Sequence, residues 1–519
     1  MNPAPQDIKF TQRFSTNLIS NIVYFVLNIS IGLALVPFFL HTLGPAAYGL
    51  IPLATSLTSY VTLVIDALNT SIARYLTIDL QRGDLEKAEI TFNTAAFGTL
   101  GIILLLVPVS LAGAWYAPTF FQTGGQNPAD VFFLFALIFG SVLIRAWSSN
   151  FMVILFAQNR LDLRNYVNCA NLGSQVIFIV LLFSCVGVSL AAVGVSYIAA
   201  AVITLILSYS FSKKICPELT IHPHEFDKNC LREIGGMSVW VLINGVSMLL
   251  NTQIALIIVN KLFGEVAGTE YSLAAAWSTL LIGLASLLTN LFTPMIYSLY
   301  AKESRTEILE FTSMVIKVVG LIIALPVALV CIFSPQLLTL WVGPGYSHLA
   351  PLIWVCISPV ILQVMVSCIS PITVSHNRVR GLVLLTLPTG ALNIVLAFYI
   401  PSIFPIGIYG VALAGLITLL LRYGVLNPLY IAHVIEVPLL YYLKKMLYGI
   451  GGLMALSLAG LAFVSMIPVS GLMQLIFAAS GISVVYLCLL RMVLRKDERK
   501  AIRMCLPKGL AKRIPEKWF

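Results

Sequence analysis

Charge is what this chain has least of: Asp, Glu, Lys and Arg make up 10% of its 519 residues, against about 25% in an ordinary soluble domain. That scarcity excludes a water-soluble fold. The ~10-residue apolar–polar alternation of a membrane β-barrel is missing as well. Inside a bilayer every backbone group must then be satisfied within its own helix. No Gly-rich phosphate loop ending in Lys-Ser or Lys-Thr occurs, and no polar segment is long enough to hold a nucleotide-binding domain. Cys-x-x-Cys pairs are absent from the nine cysteines, and Cys169, Cys331, Cys356 and Cys368 sit inside apolar runs. They read as packing residues, with neither a disulfide nor a metal implied. His222 and His224 read as part of a solvated loop, and no cofactor is called for.

What is present is 59% hydrophobic sequence, arranged in runs of roughly 20 to 28 residues, enough for a helix to cross a hydrocarbon core about 30 Å thick. The fold class is all-α: a polytopic membrane protein with fourteen transmembrane helices. The first six spans run over 16–40, 46–73, 92–114, 130–155, 167–187 and 190–211. The next six cover 236–260, 272–300, 311–333, 350–374, 382–400 and 409–431, and 447–467 with 473–493 complete the set. The apolar segment after Lys9 and Arg13 is too long for a cleavable signal core and reads as the first span.

Charge in the loops tests this count, because Lys and Arg collect on the cytoplasmic side. After the N-terminal Lys9 and Arg13, the even-numbered loops carry Arg82 with Lys87, Arg160 with Arg164, and Lys213, Lys214, Lys228 and Arg232. Lys302 with Arg305, Arg378 with Arg380, and Lys444 with Lys445 continue the alternation, and the odd-numbered loops hold a single basic residue, Lys261. Both termini are therefore expected in the cytoplasm, across the cytoplasmic (inner) membrane. The net charge of +10 fits anionic lipid headgroups rather than nucleic acid, the tail from Arg495 to Arg513 above all.

The sequence also repeats itself. Asn17, Asn21, Tyr24 and Asn28 share one helical face, and Trp240, Asn244, Ser247 and Asn251 follow with the same steps 223 positions later. Gln158-Asn-Arg160 against His376-Asn-Arg378, and the Ile-Thr-Leu run at 203–209 against that at 417–423, recur at offsets of 218 and 214. Three matches in one order indicate duplication of a six-span unit, in parallel orientation because six is even. The expected organisation is an N-lobe at 1–213, a cytoplasmic loop at 214–232, a C-lobe at 233–434, two further spans at 435–494 and a basic tail at 495–519.

Ionisable groups at membrane depth cost at least ~2.5 kcal/mol at a helix centre and usually face a cavity or a partner. Asp66 and Arg145 each lie about 20 Å along their helices from the cytoplasmic end, and Lys317 and Arg422 fall near the same layer. Thr55, Ser59, Thr62, Asp66 and Asn69 form one stripe of span two. That stripe is expected to line a cavity, with Asn21, Tyr24, Asn28, Asn244, Ser247 and Asn251 adding polar surface. A cationic lining of Arg145, Arg422 and Lys317 suits phosphate, since arginine presents a planar fork to its oxygens. Asp66 is the candidate for a coupling ion. An Asp66–Arg145 ion pair that merely fastens two spans is the competing reading, and the asparagines also serve as interhelical hydrogen-bond partners.

The segment Pro37-Phe-Phe-Leu-His-Thr-Leu-Gly44 with Pro45-Ala-Ala-Tyr-Gly49, then Ala73-Arg74-Tyr75 and Gly83-Asp84 with Ala88, resembles the opening of polysaccharide and O-antigen flippases. These belong to the multidrug/oligosaccharidyl-lipid/polysaccharide exporter superfamily. The likeness is strong over the first hundred residues. It implies a V-shaped pair of lobes, alternating access, and a polyprenyl-diphosphate-linked oligosaccharide as cargo. Membrane lipids and polysaccharide polymerase or assembly proteins would be partners, and the chain would act as a monomer. By the same resemblance to lipid II flippases, Arg145 and Arg422 would hold the diphosphate, and spans thirteen and fourteen would form a lipid groove. The repeat-mate of Arg145 is Gln363, so the lining is not symmetric. With no nucleotide site, an ion gradient or the membrane potential would supply the energy. Two alternatives stay open: an ion-coupled drug or metabolite antiporter of the same superfamily, and a membrane glycosyltransferase or polymerase. The first predicts efflux of small cations, the second a large extracytoplasmic loop, whereas the outer loops here are short.

Overall fold

The computed structural model describes residues 5–301, 305–376, 378–466, 471–494 and 498. Its regular structure is helical throughout, with no strand among the described residues. Six long helices open the chain: α1 (Pro5–Leu43), α2 (Pro45–Arg82), α3 (Leu85–Phe120), α4 (Pro128–Ala157), α5 (Leu161–Cys185) and α6 (Leu190–Ile215). Then come α7 (Lys228–Thr252), α8 (Ile254–Phe263), α9 (Glu265–Ala301) and α10 (Arg305–Val342). α11 (Ala350–Ile357), α12 (Val360–Ile369) and α13 (Pro371–Ser375) precede α14 (Val379–Ile403), α15 (Ile408–Leu419) and α16 (Asn427–Val434). α17 (Tyr441–Met466) and α18 (Leu472–Val493) close the fold.

Thirteen of these helical stretches are long and apolar enough to cross a membrane among the described residues. The 37-residue α9 stands where the eighth of the fourteen expected spans was placed. The chain is a multi-pass membrane protein. Three expected spans are interrupted for local reasons. Pro359 and Pro371 lack the N–H that a continuous ladder needs, and they divide the tenth span into α11, α12 and α13. A turn at Gln253 separates α7 from α8. In the twelfth span, Leu420–Leu426 is π-helical and ends against Asn427-Pro428, where the ring removes another backbone donor.

By its contacts the chain forms two compact units: residues 1–249 with 256–269, and residues 250–255 with 270–519. The boundary lies beyond residue 232, where the repeat placed it, because most of α7 and the α8–α9 turn pack with the first six helices.

In the first unit α4 lies against α2, α3 and α6, and α5 against α1 and α6. The polar face of α1 docks on α5: Asn165 donates to Asn21 at 2.7 Å and to Ser20 at 3.0 Å, and Asn17 meets Asn159 at 3.1 Å. The loop after α6 is strapped to α3. Asn93 donates to the Thr220 carbonyl and accepts from the His222 N–H, at 2.9 and 2.8 Å. Asp227 N–H donates to Thr94 at 3.0 Å. The loop carrying His222 and His224 is thus a hydrogen-bonded strap.

In the second unit α10 is the hub. α17 crosses it so closely that a Cβ on Gly449 would stand 2.9 Å from the Gly320 Cα. Small residues at a crossing let backbones approach in this way. Tyr442 meets Thr312 at 3.1 Å, Tyr486 donates to the Leu321 carbonyl at 2.8 Å, and Leu475 joins Ala328, Ile332 and Phe333. The two spans outside the repeat are therefore docked on α10.

Candidate functional site

Asp66 on α2, Arg145 on α4 and Arg164 on α5 are brought within electrostatic reach of one another, and all three side chains are exposed. Both guanidinium groups act on the Asp66 carboxylate, yet among the described residues no ion pair within 4.0 Å joins it to either. The fastening pair is therefore not formed. Around this group, Tyr24 on α1 lies in reach of Arg164, and Tyr197 on α6, beside Gln175 of α5, in reach of Arg145. Asn69, one turn from Asp66, accepts from Ser149 of α4 at 3.1 Å. Five helices of the first unit contribute to a single polar group with two cations, one anion and two phenols.

Arg164 was assigned to a basic loop from the sequence. Its neighbour Arg160 is spent locally, with Nε and Nη2 each 3.0 Å from Asp162. Arg164 lies one turn on, in the first turn of α5, and its guanidinium passes 5.8 Å from the Phe156 ring. The readable signal was the spacing: Asp162 is taken by Arg160, and Arg164, two residues beyond that carboxylate, points to the other side of α5.

The remaining expected residues separate into distinct roles. Ser59 and Thr62 donate to carbonyls one turn back on their own helix, at 3.4 and 3.0 Å, a common use of hydroxyls inside helices. Asn21 is a helix-docking residue, and Asn28 and Asn244 are exposed. Ser247 and Asn251 are buried, with Asn251 donating to Thr389 of α14 at 3.4 Å. Next to it, Asn393 donates to the Leu250 carbonyl at 2.8 Å, so Leu250 and Asn251, at the end of α7, are bonded to α14 within the second unit. Arg422 is buried at 4% exposure within the π-helical turn, over the Tyr423 ring.

Lys317 changes its reading. The residue is 7% exposed, and its ammonium bonds both carboxylate oxygens of Glu498 at 2.8 and 3.0 Å, together with the Val493 carbonyl at 3.2 Å. The Tyr448 ring of α17 covers it at 5.0 Å. The lysine faces α17 and the end of α18, so it is an anchor for the C-terminal spans rather than part of a cationic lining.

Comparison with known proteins bears on the family and the fold. Residues 14–300 match the family described as polysaccharide biosynthesis protein. The chain is similar to the uncharacterized membrane protein EpsK of Bacillus subtilis (strain 168), at 28% identity over 430 residues, covering 82% of this chain and 84% of that one. Its fold is similar to an inward-facing multidrug resistance MATE family transporter of the MOP superfamily, with a TM-score of 0.61, 12% identity and coverage of 85% and 96%. It is equally similar to the lipid II flippase MurJ in an inward closed conformation, with a TM-score of 0.61, 14% identity and coverage of 91% and 99%.

Proposed function

Since the chain belongs to the polysaccharide biosynthesis protein family, we propose that it is a flippase carrying a polyprenyl-diphosphate-linked oligosaccharide from the cytoplasmic to the outer leaflet of the cell membrane. The observation that carries this reading is the pair of exposed arginines, Arg145 and Arg164, set about one carboxylate. Two planar guanidinium groups match the oxygens of a diphosphate and bind it by charge-assisted hydrogen bonds. An organic cation would be repelled by the same surplus.

Asp66 gives the group a means of coupling. Ionised, it draws on both arginines; protonated, it leaves them to the diphosphate. Proton movement through Asp66 and headgroup movement are then alternatives at one place, which links an ion gradient to transport by alternating access. Arg422 adds a second cationic position in the other unit, held in a π-helical turn of the kind often found at functional sites. Both termini lie in the cytoplasm on the positive-inside rule, and the headgroup moves while the prenyl tail stays in lipid.

The test is binding to the purified protein. A polyprenyl diphosphate is expected to bind, and Arg145→Ala combined with Arg164→Ala to weaken it about tenfold or more, the loss of one or two charge-assisted bonds. Preferential binding of a lipophilic organic cation, unaffected by those substitutions, would reject the reading in favour of an antiporter.

A further inference from the structure

A cavity of about 430 Å³ opens at one end of the second unit, and every residue that lines it belongs to that unit. The volume is within the range of small-molecule sites. α9 contributes Tyr300 from its last turn, and α10 contributes Arg305 and Ile308 from its first. His376 follows α13, and the end of α16 closes the cavity with Val434, Ile435 and Glu436. In the orientation proposed above, this end faces the cytoplasm.

Two rings form one wall. Tyr300 and His376 meet with centres 4.7 Å apart and planes inclined by 59°. The imidazole is held by its Nδ1, 2.9 Å from the Ile372 carbonyl. A carbonyl only accepts, so Nδ1 carries the hydrogen, and in the neutral ring Nε2 is left as an acceptor. His376 opens the second copy of the repeated motif that ends at Arg378, and the residue in its place in the first copy is Gln158. The imidazole is thus particular to the second unit.

Arg305 is fixed without being neutralised. Its Nη2 donates to the carbonyls of Ile435 and Glu436, both at 2.6 Å. Carbonyls orient the guanidinium and leave its charge in place. The Glu436 carboxylate stands 3.6 Å from Nη1 with its side chain 81% exposed, a pair of the kind that water screens almost completely.

Glu436 also occupies an unusual position. Its N–H bonds the His433 carbonyl at 3.1 Å and the next N–H, of Val437, bonds the Ala432 carbonyl at 3.0 Å. These two bonds close α16 in a Schellman motif, whose left-handed residue is usually glycine. Here that residue is a glutamate with φ of +59. A side chain is carried at a backbone position that disfavours one, and its carboxylate is set at the cavity beside a guanidinium.

We infer that this cavity binds a nucleoside diphosphate. The base lies against the Tyr300 and His376 rings, over the apolar surface of Ile308, Val434 and Ile435. Its ring N–H donates to the Glu436 carboxylate, and the phosphates take Arg305 by charge-assisted bonds. A bare phosphate would use the guanidinium alone and be repelled by Glu436. A ligand with an anionic end and a planar, donor-bearing end engages the cation, the carboxylate and the rings together. The site lies outside the Asp66 group and does not depend on what the transporter carries.

Calorimetry on the purified full-length protein tests it, with UDP and GDP as probes because uracil and guanine each carry a ring N–H. At least one is expected to bind about tenfold or more tighter than inorganic pyrophosphate and than its own nucleoside, stacking and charge acting together. Binding of neither nucleotide at millimolar concentration overturns the site, as does pyrophosphate binding equally tightly. Tyr300→Leu removes a stacking surface and is expected to weaken the nucleotide about fivefold or more. Glu436→Gly removes the carboxylate and suits the positive φ, so its melting temperature should not fall while its nucleotide affinity does. Affinity unchanged in both variants overturns the assignment. Arg145→Ala with Arg164→Ala, in the first unit, should leave nucleotide binding as it was. Nucleotide binding lost in that variant would move the ligand to the Asp66 group and overturn the second site, whereas failure of polyprenyl diphosphate to bind would sink the flippase reading alone.

Discussion

Lys317 of α10 and Glu498 form an ion pair of 2.8 Å whose side chains are only 9% and 14% exposed. The pair ties the segment after α18 to the hub of the second unit, so spans thirteen and fourteen are integral to its packing. Removing one partner strands a buried charge, which costs about 3 kcal/mol or more, whereas replacing both with apolar residues is close to neutral. Glu498→Gln is therefore expected to lower thermal stability in detergent, and Lys317→Met with Glu498→Met to recover it. Transport per folded molecule should change little in either. A selective loss of transport in the stable double variant would return Lys317 to the substrate pathway.

The group around Asp66 is expected to behave in the opposite way. Asp66→Asn, Arg145→Ala and Arg164→Ala expose no apolar core and should fold normally, since all three side chains are exposed. Each should reduce transport about tenfold, the scale of one lost charge-assisted bond, with Asp66→Asn also removing the response to an imposed pH gradient. Initial transport rates in vesicles with and without that gradient provide the check.

The α10–α17 crossing should tolerate no added side chain. Gly449→Val would place carbon atoms against the Gly320 backbone and the Met365 sulfur, and overpacking of this kind costs about 1–3 kcal/mol. Thermal melting of the purified variant is the measurement, and the predicted direction is down.

Native cysteines report the topology. Cys185 is exposed as the last residue of α5, at the outer end in the proposed orientation, whereas Cys216 and Cys230 lie near the strap on α3, at the inner end in that orientation. Burial pushes both of those thiols up from their ordinary values, keeping them protonated and slow to react. An impermeant maleimide applied to intact cells should label Cys185 alone. Labelling of Cys216 or Cys230 first would invert the assigned orientation.

Much of the fold was legible because its largest signals are additive along the chain. Long apolar runs and alternating loop charge each sum over many residues, and they located the helices. The proline breaks at Pro359 and Pro371 were also written in the sequence, although a hydropathy pattern averages over them. The candidate site was half legible. Asp66 and Arg145 stood out as charges in apolar surroundings, but Arg164 hid among loop arginines because the first turn of α5 carries it into reach of Asp66. Lys317 misled for a complementary reason: its partner, Glu498, lies 181 residues away beyond the last span, and no local pattern predicts such a pairing. The stripe of Asn17 and Asn21 was visible as a polar helical face, yet periodicity does not distinguish a face that lines water from one that bonds another helix.

The account stands most directly on one measurement: transfer of a fluorescent polyprenyl-diphosphate oligosaccharide between leaflets of proteoliposomes that contain only this chain, under an imposed ion gradient or potential. Rapid transfer that Arg145→Ala with Arg164→Ala abolishes is the predicted result. Transfer no faster than in protein-free vesicles, or transfer indifferent to both arginines, would contradict it.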